Sequence, residues 1–415
     1  MKILVINSGS SSIKLQLLSM RGQTALASCL VERIGEEASL CRCVFRKGDP
    51  AEKIIEIKET IANHRAGMRL ALRMLTDPEQ AVLADHSELA AIGHRVVHGG
   101  EDFHEPCLID EKVLRAIEAN TPLAPLHNPA NLDGIRVALE LLPGPPQVAV
   151  FDTAFHQTMP ARAYHYALPR RFYRESRLRR YGFHGTSHQY VAEECARLME
   201  RPLSAMNLIT IHLGNGSSMT AIEKGKSIDT SLGLTPLEGL IMGSRCGDID
   251  PSIPAFLARN HGMSIEEIDA MLNKESGLKG LCGLGDMRDI HAAIEKGDAA
   301  AALALEMLTY RNRRYIGAFM AVLGHVDAIV FTAGIGENDS VVREKSLAGL
   351  EIFGIVLDEK KNRSRQAGAR EIGGDGGRVR LWVIPANEEL AIARQALALV
   401  GGTGRGLAEA PGSSK

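Results

Sequence analysis

The residues Asn7-Ser8-Gly9-Ser10-Ser11-Ser12-Ile13-Lys14 put a glycine, four serines, an asparagine and a lysine directly behind the apolar run that opens the chain. Small residues of this kind let backbone N–H groups and hydroxyls converge on an anion such as phosphate. The same residue types also make ordinary tight turns, so the loop alone decides nothing. A second copy tips the balance. Ile6-Asn7-Ser8-Gly9-Ser10-Ser11-Ser12 can be laid on Ile211-His212-Leu213-Gly214-Asn215-Gly216-Ser217, with Gly9 on Gly214 and Ser12 on Ser217. Each copy follows an apolar strand and precedes a strand-like run, Ile13–Leu18 in one case and Met219–Ile222 in the other. Two such devices half a chain apart predict a duplicated domain with a phosphate loop in each half; the alternative is a chance likeness of two Gly/Ser turns. A third glycine motif, Ala333-Gly334-Ile335-Gly336-Glu337-Asn338, follows the apolar run Val330–Thr332. A strand ending in Gly-x-Gly suits close approach of a nucleotide. The full dinucleotide fingerprint and the Gly-Lys-Ser/Thr phosphate loop are both absent from the sequence. Three separate glycine loops without either motif point to an actin-like ATPase architecture.

Isolated charged residues stand in similar surroundings. Arg95 falls where a strand passes into a loop, and Arg245 lies in a glycine-rich stretch ahead of Asp248 and Asp250. A lone arginine is most often a surface ion pair, yet its planar fork is the side chain best matched to carboxylate and phosphate oxygens. Asp152 ends the strand-like run Gln147–Phe151, where a helix N-cap is the ordinary alternative. His184 sits between Phe183 and Gly185, where a core or capping histidine is the default.

Strand-like and helix-like runs alternate, which indicates an α/β protein. Lys2–Asn7, Ala91–Val97, Gln147–Phe151, Leu208–Leu213 and Ala328–Thr332 read as strands. Arg65–Leu75, Asp133–Leu142, Ser187–Met199, Ser264–Leu272 and much of Ala299–Leu323 read as helices. Gly373–Gly377 reads as a loop, and the tail from Gly401 as frayed. The 415 residues allow two or three domains, and 45% hydrophobic with 24% charged residues is an ordinary globular composition. A net charge of −2 supplies no basic footprint for nucleic acid. No apolar stretch reaches membrane-spanning length, and the first run is too short for a signal peptide. The seven cysteines form an odd set with no second close pair to complete a zinc site beside Cys41 and Cys43, so reduced thiols in a cytoplasmic protein are expected.

Nine motifs together resemble the acetate kinase (acetokinase) family, in the superfamily of acetate and sugar kinases, heat-shock ATPases and actin. They are Asn7–Lys14 (NSGSSSIK), Gly93–Gly100 (GHRVVHGG), Pro122–Pro129 (PLAPLHNP), Phe151–Pro160 (FDTAFHQTMP), Tyr181–His188 (YGFHGTSH), His212–Ser218 (HLGNGSS), Gly243–Pro251 (GSRCGDIDP), Thr332–Asn338 (TAGIGEN) and Ile384–Leu390 (IPANEEL). The resemblance implies two actin-like (ribonuclease H-like) domains with a duplicated βββαβαβα core and an active-site cleft between them. One domain would be 1–151 plus 385–415, the other 152–384. It also implies reversible, magnesium-dependent, in-line transfer of the ATP γ-phosphoryl group to acetate, giving acetyl phosphate and ADP, by a cytoplasmic homodimer. By the same resemblance Arg95, Asp152, His184 and Arg245 are catalytic, with Arg95 also holding the substrate carboxylate. His127 has a supporting place. Val97, Leu126, Phe183 and Pro236 would form the acyl pocket, where core packing is the plain alternative. Lys14, Ser10, Ser12, His212, Leu213, Gly214, Asn215, Gly216, Asp286, Met287, Arg288, Gly334, Ile335, Gly336, Glu337 and Asn338 would meet ATP. Asn7 and Glu388 would attend the magnesium ion, for which manganese can substitute.

Family members usually assign Asp152's counterpart the acid/base role, but a carboxylic acid titrates near pH 4, so acetate needs no base at neutral pH. Ordering a magnesium-bound water or orienting Arg245 is the competing role. Gly277–Arg288 is about one residue shorter than the usual family stretch and lacks its serines, and Cys246 stands where a serine is more usual, a plain substitute for it. Propionate or butyrate kinase of the same superfamily remains open, since one methylene shifts preference by only about 1–3 kcal/mol. A non-catalytic actin-like ATP-binding module would lack the four catalytic residues.

Overall fold

The computed structural model describes residues 1–125 and 127–403. Leu126, expected in the acyl pocket, lies outside the described residues, as does the tail beyond 403. The chain divides into two compact units, Met1–Ala154 with the chain from Asn387 onward, and Phe155–Ala386.

The first unit is built on eight strands: β1 (Lys2–Ser8), β2 (Ser12–Ser19), β3 (Thr24–Glu32), β4 (Ser39–Phe45), β5 (Lys53–Glu59), β6 (Leu89–Val96), β7 (Cys107–Leu108) and β8 (Gln147–Phe151). Their order is β5-β4-β3-β2-β1-β6-β8-β7. β1 to β5 form an antiparallel meander, whereas β6 runs parallel to β1 and β8 parallel to β6. In β1 four consecutive residues, Ile3–Ile6, are buried, the pattern of a strand covered on both faces. Leu4 and Ile6 share an apolar cluster with Met68, Leu72 and Ala138, from the helices His64–Leu75 and Asn128–Leu141. The helix Glu388–Thr403 packs on β1 and β6. Its approach is close enough that a Cβ on Gly93 would stand 2.6 Å from Ile392 Cγ2, so β6 carries a glycine there. This docking brings the start of the C-terminal helix to the end of β6.

The second unit has β9 (Asn207–Leu213), β10 (Ser217–Glu223), β11 (Lys226–Thr230), β12 (Ala328–Thr332), β13 (Arg370–Glu371) and β14 (Arg380–Val383), in the order β11-β10-β9-β12-β14-β13. β9 to β11 are antiparallel, and β12 and β14 add on in parallel. The series β3-β2-β1-β6-β8 and β11-β10-β9-β12-β14 are therefore the same arrangement, third-second-first-fourth-fifth. That repeat is the duplicated actin-like core. The aligned loops confirm it, because Gly9–Ser11 and Gly214–Gly216 each close the first hairpin, and Ser12 and Ser217 each begin the second strand. The long helix Ala299–Leu323 starts where Asp298 accepts from Ala300 N and Ala301 N, and ends at Gly324 in a positive-φ conformation.

The expected strands are found to within two residues. Four expectations need correction. The helix expected from Asp133 begins at Asn128, because Pro129 fits the first turn, where its missing N–H costs nothing. Gly334 and Gly336 do not lie in a loop but in a short helix, Ala333–Asn338. Cys29 and Cys43, expected to be free thiols, are bonded to each other; they face across β3 and β4 in direct register, with Cα atoms 4.1 Å apart. The C-terminal helix also continues through Gly401 to Thr403, where fraying was expected.

Candidate active site

In the first unit the charged residues gather at the carboxyl ends of parallel strands, where open α/β sheets place their ligand sites. Arg95 pairs in register with Val150 near the ends of β6 and β8, and Asp152 follows Phe151 directly. The two side chains form a bidentate pair: Arg95 Nη2 donates to Asp152 Oδ2 at 2.5 Å and Nε donates to Oδ1 at 3.3 Å. Glu388 Oε2 lies 3.8 Å from Arg95 Nε. Asp152 is 1% exposed. Burial pushes its carboxyl upward and Glu388 adds to this, while the Arg95 guanidinium and His127 pull the other way. For Arg95, burial favours loss of the charge, but Asp152 and Glu388 outweigh it and hold the guanidinium more firmly protonated. Asp152 thus orients Arg95. Lys14 pairs with Glu389, so the lysine after the first glycine loop is tied to the C-terminal helix.

A buried amide, absent from the sequence reading, links these parts. Asn131 Nδ2 donates to Ser8 O at 2.8 Å, and Val97 N donates to Asn131 Oδ1 at 3.0 Å. One side chain therefore fixes the ends of β1 and β6 together, beside Asn7 and Arg95. His64 Nε2 lies 2.7 Å from Gly9 O and steadies the first glycine loop. Val97 is buried in this unit; Phe183, also buried, and Pro236 belong to the other.

In the second unit the glycine loop after β9 meets two cationic or hydrogen-bonding side chains. A Cβ built on Gly216 would stand 3.4 Å from both Arg245 Nη1 and His184 Nε2, so these two donors converge on the glycine. Arg245 is anchored through Nη1 to Pro236 O at 3.2 Å, and burial lowers its pKa. The loop that carries Pro236 is held in turn by Arg180, which donates to Glu238 Oε1 at 2.5 Å and to the carbonyls of Thr230, Ser231 and Leu232. His184 has φ +57, the left-handed region, at the start of the helix Gly185–Leu198. Ala333, at the head of the third glycine motif, has φ +65. Non-glycine residues held there cost about 1 kcal/mol or more each, and they concentrate at functional sites. His212 stacks on His184 with ring centroids 4.3 Å apart, its Nδ1 2.9 Å from Ser187 Oγ.

Next to this loop a cavity of about 1060 Å³ opens within the second unit. Eight of the expected nucleotide residues line it: Gly214 and Asn215; Asp286, Met287 and Arg288; Gly334, Ile335 and Asn338. Asp286 caps the helix Met287–Glu295 and pairs with Arg288, which explains how the shortened Gly277–Arg288 stretch still presents these residues. Lys274, Lys279 and His291 line the cavity too and were missed, for no motif marks them. Leu213, Gly216, Gly336 and Glu337 lie off its wall. Leu213 is core, and Glu337 accepts from Ala386 N at 2.9 Å. Lys14, Ser10 and Ser12 belong to the other unit. Cys246 donates to Gly247 O at 3.1 Å, and burial raises its thiol.

A glycine loop under an arginine and a stacked histidine, beside a cavity large enough for a nucleotide, fits a phosphate-rich ligand. The repeated strand order makes the scaffold a two-unit actin-like α/β protein, the class that includes phosphotransferases. Comparison with known proteins narrows this. The sequence profile of the acetokinase family matches residues 2–394. The chain is 60% identical to an acetate kinase of Desulfotalea psychrophila over 403 residues, which are 96% of this chain and 100% of that one. Its fold superposes on the crystal structure of Porphyromonas gingivalis acetate kinase with a TM-score of 0.91 at 41% identity, covering 96% of this chain and 99% of that one. A propionate kinase from Francisella tularensis gives 0.87 at 41% identity, with the same coverage. The chain belongs to the acetokinase family, and is a kinase.

Proposed function

We propose that the chain is an acetate kinase, which reversibly transfers the γ-phosphoryl group of ATP to acetate and gives acetyl phosphate and ADP. The observation that carries this reading is the convergence of His184 Nε2 and Arg245 Nη1 on Gly216 beside the cavity. Phosphoryl transfer develops charge on equatorial oxygens, and preorganised donors aimed at that charge supply much of the rate. The adenosine would occupy the cavity, along Asp286, Met287 and Arg288, with its phosphates over Gly214–Gly216. Of the five N–H donors of the Arg95 guanidinium, Asp152 takes two, so the fork is oriented and still has donors for the acetate carboxylate. Acetate is already ionised at neutral pH, so an in-line attack needs no base. On this reading Asp152 positions Arg95. Val97, Phe183 and Pro236 would limit the acyl group.

Asn7 and Glu388 would hold magnesium, or manganese in its place. The donor set fits a hard cation, being oxygen only, with two carboxylates, Asp152 and Glu388, about a single guanidinium. When bound, the ion neutralises phosphate charge. Among the described residues no group of three or more His, Cys, Asp or Glu side chains could hold a metal by itself, so most of its ligands would be phosphate oxygens and water. We assign the protein to the cytoplasm on the strength of its family. Among the described residues, no helix is long and apolar enough to cross a membrane. A homodimer is supported by the helix Ile253–His261, which has no buried residue and leaves Phe256 58% exposed. The test is hydroxamate trapping of the acyl phosphate made from ATP with acetate, propionate and butyrate side by side. A larger specificity constant for propionate would make this the propionate kinase its 41%-identical neighbour is named for; no acyl phosphate from any of the three acids would end the reading. Arg95→Ala and Arg245→Ala should each lower turnover by orders of magnitude in a folded protein.

A further inference from the structure

Four histidines of the second unit touch in series. His184 stacks on His212 with centroids 4.3 Å apart, His212 is 6.2 Å from His188, and His188 is 5.9 Å from His156. His156 and His188 are wholly buried. Burial lowers His156 to about 4; burial, and then the charges of His156 and His212, hold His188 well below its usual range. Both are neutral near pH 7, and a neutral imidazole has one N–H.

Ser218 Oγ joins two of these rings, 2.8 Å from His184 Nδ1 and 2.7 Å from His188 Nε2. Ser218 is wholly buried and its hydroxyl has no further partner among the described residues, so accepting from both rings would orphan its O–H. It donates to one ring and accepts from the other. The choice is made on the far side of His188. There Nδ1 lies 2.7 Å from Thr210 Oγ1. Thr210 is wholly buried, and its hydroxyl has no other partner among the described residues. If His188 carried its proton on Nδ1, it would donate to Thr210 and leave a buried O–H with nothing to bond. Orphaned buried donors are rare and costly. If Thr210 donates to Nδ1 instead, only lone pairs are left over. His188 then has its proton on Nε2 and donates to Ser218, and Ser218 donates to His184 Nδ1.

We propose that Thr210, His188 and Ser218 form a relay that fixes His184 as the Nε2–H tautomer. The protonated nitrogen is then the one that shares the space over Gly216 with Arg245 Nη1. Ser218 and His188 are positioning residues. They act on the reaction through His184, and touch no substrate themselves. The relay explains why the serine pair of the second glycine loop divides its work: Ser217 Oγ donates to Gly214 O at 3.2 Å and shapes the turn, while Ser218 Oγ serves the rings. It rests on the reading of His184 as a donor to the phosphoryl group, and the two can fail separately.

The experiment is nitrogen-15 NMR of the imidazole rings in the substrate-free, full-length protein, with His184 assigned from the signals lost in His184→Gln. The expected spectrum has hydrogen on His184 Nε2 and a bare Nδ1. In Ser218→Ala the Nδ1–H form should gain population, and kcat should fall roughly 10- to 100-fold, short of the roughly 100- to 1,000-fold loss of a whole donor. KM for ATP should stay close to wild type, and Ser218→Thr, which keeps the hydroxyl, should restore both tautomer and kcat. Hydrogen on His184 Nδ1 in the wild type, or an unchanged tautomer in Ser218→Ala, overturns the relay. The wild-type spectrum decides even if the variants fold poorly. Wild-type turnover in His184→Gln would remove the donor reading while the tautomer stood.

Discussion

Gly216→Ala separates folding from catalysis, because the structure predicts opposite signs for the two. The added Cβ would meet Arg245 Nη1 and His184 Nε2 at 3.4 Å and His184 Cε1 at 3.5 Å, and nothing nearer. These are ordinary van der Waals distances, and Gly216 is not among the positive-φ residues, so alanine fits without strain. Replacing glycine at such a position commonly stabilises by about 0.4–1 kcal/mol, because the unfolded chain loses freedom. The methyl group nevertheless fills the gap in which a phosphoryl oxygen would sit about 2.7–3.1 Å from each donor. Losing one such donor costs about 2.7–4 kcal/mol of transition-state stabilisation, and the methyl displaces the oxygen from both. The expected variant is as stable as wild type or slightly more so, with turnover down by at least about 100-fold. Urea unfolding and hydroxamate trapping on the same preparation give the two readings. Near-wild-type turnover with an unchanged urea midpoint would show that the transferring group does not pass between His184 and Arg245.

Asp152→Asn should lower turnover at every pH and raise the magnesium requirement, with a stability loss of about 3–5 kcal/mol from breaking the buried pair with Arg95. Recovery at high pH with unchanged magnesium dependence would identify Asp152 as a base instead. Val97→Ala should lower KM for propionate and butyrate relative to acetate, since the cavity gained is worth about 1–3 kcal/mol; an unchanged ratio of specificity constants would put Val97 outside the pocket. His94 and His156 are fully buried, and burial lowers each to about 4. A depressed histidine binds fewer protons folded than unfolded, so its stability contribution is complete above about pH 6.5 and is lost as pH falls from there toward 4, by about 3 kcal/mol per ring. Urea midpoints measured from pH 7.5 to 4.5 should show this loss, and His156→Asn should flatten the slope; an equally steep slope in that variant would refute the assignment.

The glycine loops were legible because their chemistry is local. Gly9 and Gly214, with Ser12 and Ser217, stand at fixed offsets from an apolar run, and a hairpin that must turn in three residues leaves few other choices. Arg95, Asp152, His184 and Arg245 were singled out by residue type and motif, but their pairing was not legible. Arg95 and Asp152 are 57 residues apart in sequence, and only the parallel register of β6 on β8 brings them together. The Cys29–Cys43 bond likewise depends on the register of β3 on β4, which no local pattern announces. The helix at Ala333–Asn338 was hidden by its own composition, since two glycines are poor helix formers and the strand before it runs straight into a left-handed residue. His188 was within reach: it lies four residues after His184, one turn along the same helix, which is the spacing at which two side chains share a partner.

The two units meet the demands of phosphoryl transfer with different electrostatics. The first supplies a permanent charge. Arg95 is 24% exposed in its side chain and lies between Asp152 and Glu388, so its guanidinium stays protonated and its orientation is fixed before any ligand arrives. A substrate carboxylate would arrive already charged and attack through one of its oxygens, so a fixed cation suits its capture and orientation. The second unit would face a group whose charge moves during the reaction, and there His184 Nδ1 meets the hydroxyl of Ser218, which also meets the buried His188. A carboxylate beside His184 would repel the same equatorial oxygens that, on the proposed reading, Arg245 attracts. Serines and threonines orient the imidazole without adding that repulsion. The acidic residues that do hold Arg245's surroundings, Glu238 through Arg180 and Asp248 through Gly239 N and Tyr315, act at one remove, each compensated by its own arginine or hydroxyl. Keeping these carboxylates at one remove would leave the positive field of Arg245 directed at a bound phosphate.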